Sequence, residues 1–514
     1  MRTSVTRPVA PRQLPALIYY GAVTIAALLI SLVALEVSHK LALTDPVVVF
    51  YALLLALPAL VTARAPALGL ALVLVAALLS WAVPALIPQL YSLGPETTFG
   101  VTVLTAWAGL LMYTYKRRER LIWTPILLPL LAWNAWVLLS FVVNIHSAAS
   151  NHSTLFTVFL LIDTAFFVLV ANAVRTERAM RWLLLALVFS SIPLSLVAYL
   201  QYSQRYIGIN YTAVHPGLEK LAENLSYTVR VAGTLADATL FSVYYLVVFV
   251  LATAFLVIEQ QRRLRLALAL TIAFDIWPFL MTFTKSTLIV IVLTLLVFAW
   301  LRRSWRVAII SMVVSAVSWL ALATIPLTSY FTQQAASAAQ GQGEDLSQRV
   351  QFIRACAAAA PSHALFGLGP LGATSITGSH CHSLPPELLV DFGVIGTLLF
   401  CWFAWRVARL SWRASQAPPQ TFQGVLAQAN LALLIGMALM SLLWPLVNFP
   451  LAWYWVVVVL VVGGGIYQLD AIQPQRRSGP LASEGMPTRQ PEVVHSAWLD
   501  DQETDRLTGR SSER

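Results

Sequence analysis

Runs of about twenty apolar residues, long enough to cross a hydrocarbon layer as a helix, recur along nearly the whole chain. They constrain the fold more than anything else in the sequence. Such runs do not alternate with period two, so they are not the strands of a membrane barrel. We place about fourteen spans near 15–36, 46–62, 66–86, 98–115, 121–143, 154–173, 182–201, 236–258, 266–283, 284–301, 307–325, 387–407, 425–446 and 451–468. Several are short or closely joined, so the expected fold class is an all-α polytopic membrane protein with about 12–14 transmembrane helices. Only 11% of the 514 residues are charged and 58% are hydrophobic. A soluble globule carries about 25% charge, so this chain could not cover a water-facing surface. That excludes the ordinary soluble enzyme, the disordered chain and the nucleic-acid binder.

The remaining charge orients the spans. Of 33 Lys and Arg residues, 26 fall in alternate connections or the C-terminal tail. Those connections carry Arg2/Arg7/Arg12, Arg64, Lys116–Arg120, Arg175/Arg178/Arg181, Arg262/Arg263/Arg265, Arg302/Arg303/Arg306 and Arg406/Arg409/Arg413. Cations beside a span resist translocation, so this set is expected to be cytoplasmic, with both termini inside. The first run follows three arginines and has no small-residue cleavage site; it reads as an uncleaved signal-anchor. The division expected is a cytoplasmic N-terminus at 1–13, a transmembrane domain at 14–470 and a polar, disordered cytoplasmic tail at 471–514.

The other seven cations are Lys40, Arg205, Lys220, Arg230, Lys285, Arg349 and Arg354. Five of them lie in the two long outer loops, 202–235 and 326–386, where function tends to sit. Seven of the eight histidines also lie outside, and His363, His380 and His382 share the second loop. Within that loop a short helix is expected from about Ser347 to Ala360, ended by Pro361, with Arg349, Ile353 and Cys356 on one face. A tight turn follows at Phe366-Gly367-Leu368-Gly369-Pro370, and then His380-Cys381-His382-Ser383-Leu384. The next span holds Asp391-Phe392-Gly393-Val394-Ile395-Gly396.

This order resembles the O-antigen ligase/polymerase superfamily of membrane glycosyltransferases. The family pattern has an Arg opening a periplasmic helix, a Gly-x-Gly turn, a His-Asn-x-x-Leu segment and an acidic-x-Gly-x-x-Gly span. Arg349, Gly367/Gly369, His382 and Gly393/Gly396 fill those places; the spacing from His382 to Gly393 singles out His382 over His380. Asp391 stands where the family often has Glu. Arg230-Val231-Ala232-Gly233-Thr234-Leu235 is similar to an Arg-x-x-Gly-Thr-Phe segment of the family. Thr282-Phe283-Thr284-Lys285-Ser286-Thr287 stands where the family has a Ser-Arg-Gly turn, with Lys285 for the Arg. The likeness covers roughly 225–400. It departs at Ser383, where the family has Asn, and at Pro385-Pro386.

The resemblance implies transfer of a glycan from a polyprenyl-diphosphate carrier to a lipid or glycan acceptor, on the outer face of a bacterial cytoplasmic membrane. It takes in three reactions: ligation to a lipid core, polymerisation of repeat units, and transfer to protein Ser or Thr. Arg230, Arg349 and Lys285 would hold the diphosphate, because guanidinium matches phosphate oxygens and keeps its charge. Their ordinary alternatives are interfacial snorkelling, or ion pairs with Asp237, Glu344 or Asp345. His382 would orient or deprotonate the acceptor hydroxyl; Arg354, His380 and Asp391 are secondary candidates. No metal or cofactor is called for, since arginines can compensate the leaving group, and His380 and His382 are too close in sequence to converge readily on one zinc. Single displacement implies inversion at the anomeric carbon.

Three further readings follow from the residues. Cys356 and Cys381 share an oxidising outer loop, where a disulfide between them can form. Cys401 lies in a span as a packing residue. Asp163 and Asp275 lie in spans and should face the bundle interior, either as a proton path or as packing contacts. A secondary transporter or flippase for a lipid-linked or anionic solute is the rival class. It predicts paired broken helices at the midplane, and the sequence shows no such repeat.

Overall fold

In a computed structural model the chain is an all-α polytopic membrane protein. The structure describes residues 57–79, 94–117, 119, 121–122, 124–145, 151–174, 176–207, 231, 238–282, 284–305, 307–310, 312–313, 316, 346–378, 380–416 and 421–443. The helices are α1 (Pro66–Leu79), α2 (Gly94–Arg117), α3 (Leu127–Val143), α4 (Asn151–Ala173), α5 (Glu177–Phe189), α6 (Ser191–Ile207) and α7 (Ala238–Ile258). They continue as α8 (Arg262–Met281), α9 (Lys285–Arg302), α10 (Leu346–Ala359), α11 (Ala373–Thr377), α12 (Leu384–Ser415) and α13 (Phe422–Leu443). Among the described residues six stretches are long and apolar enough to cross a membrane: Phe156–Ala173, Glu177–Tyr202, Ala238–Ile258, Arg262–Met281, Leu384–Ser415 and Phe422–Leu443. The expected spans at 15–36, 451–468 and most of 46–62 and 307–325, and the termini at 1–13 and 471–514, lie outside the described residues.

Helix α7 forms the axis of the bundle. It is apolar on every side, which suits a helix enclosed by others rather than one facing lipid. Every residue from Ala238 to Phe255 is buried, against α5, α8, α9 and α13. Its tyrosine hydroxyls therefore need partners inside the bundle. Tyr244 bonds with Ser190 at 2.9 Å and Tyr245 with Ser195 at 2.7 Å. Ser190 lies where the expected span at 182–201 divides into α5 and α6.

The same break accommodates Asp275. Ser191 and Ser195 donate to its two carboxylate oxygens at 2.5 and 2.6 Å. With the Ser195 proton given to Asp275, Tyr245 must be the donor in its contact with Ser195. Three residues later Pro278 interrupts α8 and removes the N–H that would bond to Phe274. The freed carbonyl of Phe274 accepts from the Tyr199 hydroxyl at 3.1 Å. Asp275 is thus a satisfied polar contact that fixes α8 against α6; Asp163 is buried as well.

The arginine-bearing turns gather at one end of the bundle. Thr176 caps α5, its hydroxyl accepting from the Ala179 amide at 3.1 Å. One turn on, Arg181 bonds to Glu259 after α7. Glu259 lines the same cavity as Arg265 and Arg302. The Phe255 ring meets Phe422 at 6.0 Å, which brings the α12–α13 turn to this end. Helices α9 and α12 carry their arginines near their C-terminal ends, so their first residues, Lys285 and Leu384, lie at the opposite end. Cys401 is exposed on α12, which corrects the packing role expected for it: at mid-span it faces outward from the bundle.

Candidate functional site

The site end is built around a break in α12. Gly393 has φ 68° and ψ −172°, a conformation open essentially only to glycine. A helix broken inside a membrane must find partners for the peptide groups it frees. The turn at 364–369 supplies them. Leu368 and Gly369 donate their amides to the carbonyls of Val390 and Asp391 at 2.8 and 2.9 Å. Val394 donates to the Ala364 carbonyl at 2.7 Å, and the Trp136 indole donates to the Phe392 carbonyl at 2.9 Å. Helix α3 holds the other side: Ser140 donates to the Phe366 carbonyl at 2.6 Å, and the Trp136 and Phe366 rings stack at 5.1 Å.

This explains the Gly-x-Gly and acidic-x-Gly segments as one unit. Gly367 has φ 71°, and a Cβ there would lie 2.3 Å from the Asp391 carbonyl. A Cβ on Gly393 would lie 2.3 Å from the Leu365 carbonyl. Each glycine is needed because the other strand of backbone passes against it. Asp391 is fully buried within the unit, and its Oδ1 accepts from the Ala373 amide at 2.7 Å, which holds the start of α11.

Helix α10 carries Arg349, Phe352 and Cys356 at i, i+3 and i+7, one face of a helix. The Phe352 ring stacks on His382 at 5.5 Å, and Cys356 is bonded to Cys381 with Cα atoms 6.1 Å apart. The disulfide that the sequence allowed is therefore formed. The i+3 contact is with Phe352, a residue the sequence reading passed over in favour of Ile353. Arg349 stands one turn before Phe352 and is half-buried; Arg354 is exposed. Pro361 does end the helix, through a 3-10 turn at Ala360–His363.

His382 is 3% exposed and has φ 56°. That left-handed conformation is uncommon outside glycine, though histidine enters it more readily than most residues. Beside it lies a residue the sequence reading missed. Glu387 is fully buried in the first turn of α12. Its Oε1 is 3.0 Å from His380 Nδ1, and its Oε2 accepts from the Cys381 amide at 3.2 Å. A first-turn carboxylate is favoured by the helix dipole and can satisfy an amide just before the helix. Pro385 and Pro386, unusual against the family pattern, fall in that first turn, where a missing N–H costs nothing. The signal for Glu387 was its position, just inside the helix that follows the histidines.

On the loop-closure model, cross-linking residues 25 apart stabilises the fold by about 3.5 kcal/mol. Reduction, or Cys356→Ser, is therefore expected to raise proteolytic cleavage within 370–379 by about two orders of magnitude. Time-course digestion with and without reductant checks this.

The second predicted cluster is assembled at the far end of α8. Val231 is buried, and its amide donates to the Met281 carbonyl at 3.1 Å. The chain neighbour of Arg230 thus meets the Thr282–Thr284 turn, whose next residue, Lys285, opens α9. Two of the three family-like segments come together there. Arg230 itself and the side chain of Lys285 lie outside the described residues, as does most of the first long loop.

Comparison with known proteins agrees with this geometry. No curated protein matches the chain. Residues 270–401, from the middle of α8 through the disulfide-linked module and the Gly393 break, match the family model described as O-antigen ligase. Over that stretch the chain is similar to the O-antigen ligase domain, which supports a place beside the membrane enzymes that ligate or polymerise glycans.

Proposed function

We propose that the protein is a metal-independent, inverting membrane glycosyltransferase. It takes a glycan from a polyprenyl-diphosphate carrier and passes it to a lipid or glycan acceptor on the outer face of the bacterial cytoplasmic membrane. The acceptor hydroxyl oxygen attacks the anomeric carbon from the side opposite the diphosphate. The bond from that carbon to the diphosphate oxygen breaks, and the polyprenyl diphosphate leaves with the bonding electrons. The hydroxyl proton passes to the His382 imidazole and then to water. Arg349, with Arg230 and Lys285, binds the diphosphate and offsets the charge that grows on it as it leaves. His380 and Glu387 fix the segment from which His382 projects.

The observation that carries this reading is the fixed face of α10. The ring stack and the disulfide hold Arg349 and His382 on one rigid unit, the arrangement that a charged leaving group and a hydroxyl acceptor require. The outward orientation is supported by the collection of arginine turns at the other end of the bundle.

The test is reconstitution of the full chain in liposomes with a polyprenyl-diphosphate-linked glycan and a panel of lipid and glycan acceptors. Free polyprenyl diphosphate and an elongated acceptor of inverted configuration are expected, unchanged by EDTA. Solute or lipid flux without turnover on any acceptor would instead support a transporter. Loss of turnover in EDTA, restored by a divalent cation, would refute metal independence.

A further inference from the structure

At the arginine-bearing end of the bundle, one side of α5 lines a groove. Arg178, Arg181, Trp182, Leu185, Ala186 and Phe189 follow at i, i+3, i+4, i+7, i+8 and i+11, which keeps them on one side of the helix. With Gln261, Arg263 and Leu264 at the start of α8 they line an open cavity of about 740 Å³.

The chemistry of this groove changes along its length. Arg181 is compensated by Glu259. Arg178 and Arg263 are exposed, and neither has an ion-pair partner among the described residues. Next comes Trp182, 63% exposed, and then Ala186 and Phe189, both half-buried, over the buried Leu185. Eleven residues of helix cover about 16 Å, roughly one leaflet's share of a 30 Å hydrocarbon core. Cation, interfacial indole and apolar wall thus follow in the order of a phospholipid's own parts: phosphate, glycerol level and acyl chain.

We propose that this groove binds an anionic phospholipid of the adjacent leaflet, its phosphate between Arg178 and Arg263 and one acyl chain along Trp182, Ala186 and Phe189. Uncompensated guanidinium groups favour a headgroup with net negative charge over a zwitterionic one, whose ammonium they repel. A free phosphate would leave the apolar wall without a role. The site lies at the opposite end of the bundle from Arg349 and His382 and is independent of the glycosyl-transfer reading.

Native mass spectrometry of the full-length protein, released from detergent with equal phosphatidylglycerol and phosphatidylcholine, tests it. One basic residue near an anionic lipid strengthens binding about fivefold, so the pair is expected to favour phosphatidylglycerol by about 30-fold. Arg178→Gln/Arg263→Gln, with wild-type circular dichroism, is expected to bring the two lipids near parity. Arg409→Gln/Arg413→Gln, at exposed arginines of α12 outside the groove, is expected to keep the preference. Trp182→Ser, which retains both arginines, is expected to reduce retention of phosphatidylglycerol. Parity in the wild type, or an undiminished preference in the Arg178/Arg263 double variant, overturns the proposal. So does displacement of the lipid by inorganic phosphate, which would reduce the groove to a bare anion site. If the double variant does not fold, full retention of phosphatidylglycerol by Trp182→Ser overturns it as well.

Discussion

Arg349→Ala is expected to lower glycosyl transfer by about 10²–10³-fold, the usual effect of removing one preorganised donor from a developing anion. Its fold should survive. Phe352 and Cys356 would still join α10 to His382 and Cys381 without the guanidinium. The loss should therefore appear in the chemical step, not in membrane insertion or melting temperature. Arg349→Lys separates charge from geometry. Lysine restores a cation but not the two parallel N–H groups that match a phosphate, so it should recover only part of the lost rate. Single-turnover transfer from a radiolabelled polyprenyl-diphosphate glycan measures both variants. A wild-type rate in Arg349→Ala would move the diphosphate site away from α10.

The physics of the bilayer explains what the sequence makes legible here. A spanning helix needs a long apolar run whatever its neighbours, so α4, α7, α8 and α13 can be read directly. The arginine turns are legible for the same reason, and the structure collects several at one end. What stays hidden is what depends on a partner distant in sequence. The division of the 182–201 span at Ser190 answers to Asp275 and Tyr244, residues on other helices. The direction of Cys401 depends on how α12 is rotated against α3 and α13, which its apolar neighbours do not encode. At the site, the histidines and the cysteine pair were visible as chemistry. The acidic residue singled out was Asp391, while the carboxylate that meets His380 is Glu387. A family pattern marks which positions recur; it does not say whether a carboxylate meets a substrate or a backbone amide. The unity of the Gly-x-Gly turn with the Gly393 break was equally hidden, because it rests on hydrogen bonds across more than twenty residues.

That unity leads to the second large effect. Gly393→Ala is expected to abolish transfer and to lower the melting temperature sharply, although residue 393 need touch no substrate. Two costs add. The ε-type backbone disfavours any side chain by roughly 1–3 kcal/mol. The new Cβ would also lie 2.3 Å from the Leu365 carbonyl, so the turn must withdraw. Withdrawal breaks the bond between Val394 and Ala364 and strips the Val390 and Asp391 carbonyls of their donors, inside a protein interior that offers no water in exchange. Gly378→Ala supplies the comparison. Gly378 also has positive φ, 69°, but lies in the ordinary left-handed region, and nothing stands within 4 Å of a Cβ built there. It should cost only about 1–2 kcal/mol, the backbone preference alone, and leave transfer near wild type. Melting curves and turnover for the two variants in the same liposomes measure the difference. Equal effects would mean that backbone strain alone governs both positions. A larger loss at Gly393 assigns the excess to the close packing of the 364–369 turn against α12, the contact through which the start of α12, with Glu387 and the histidines before it, is braced for the reaction.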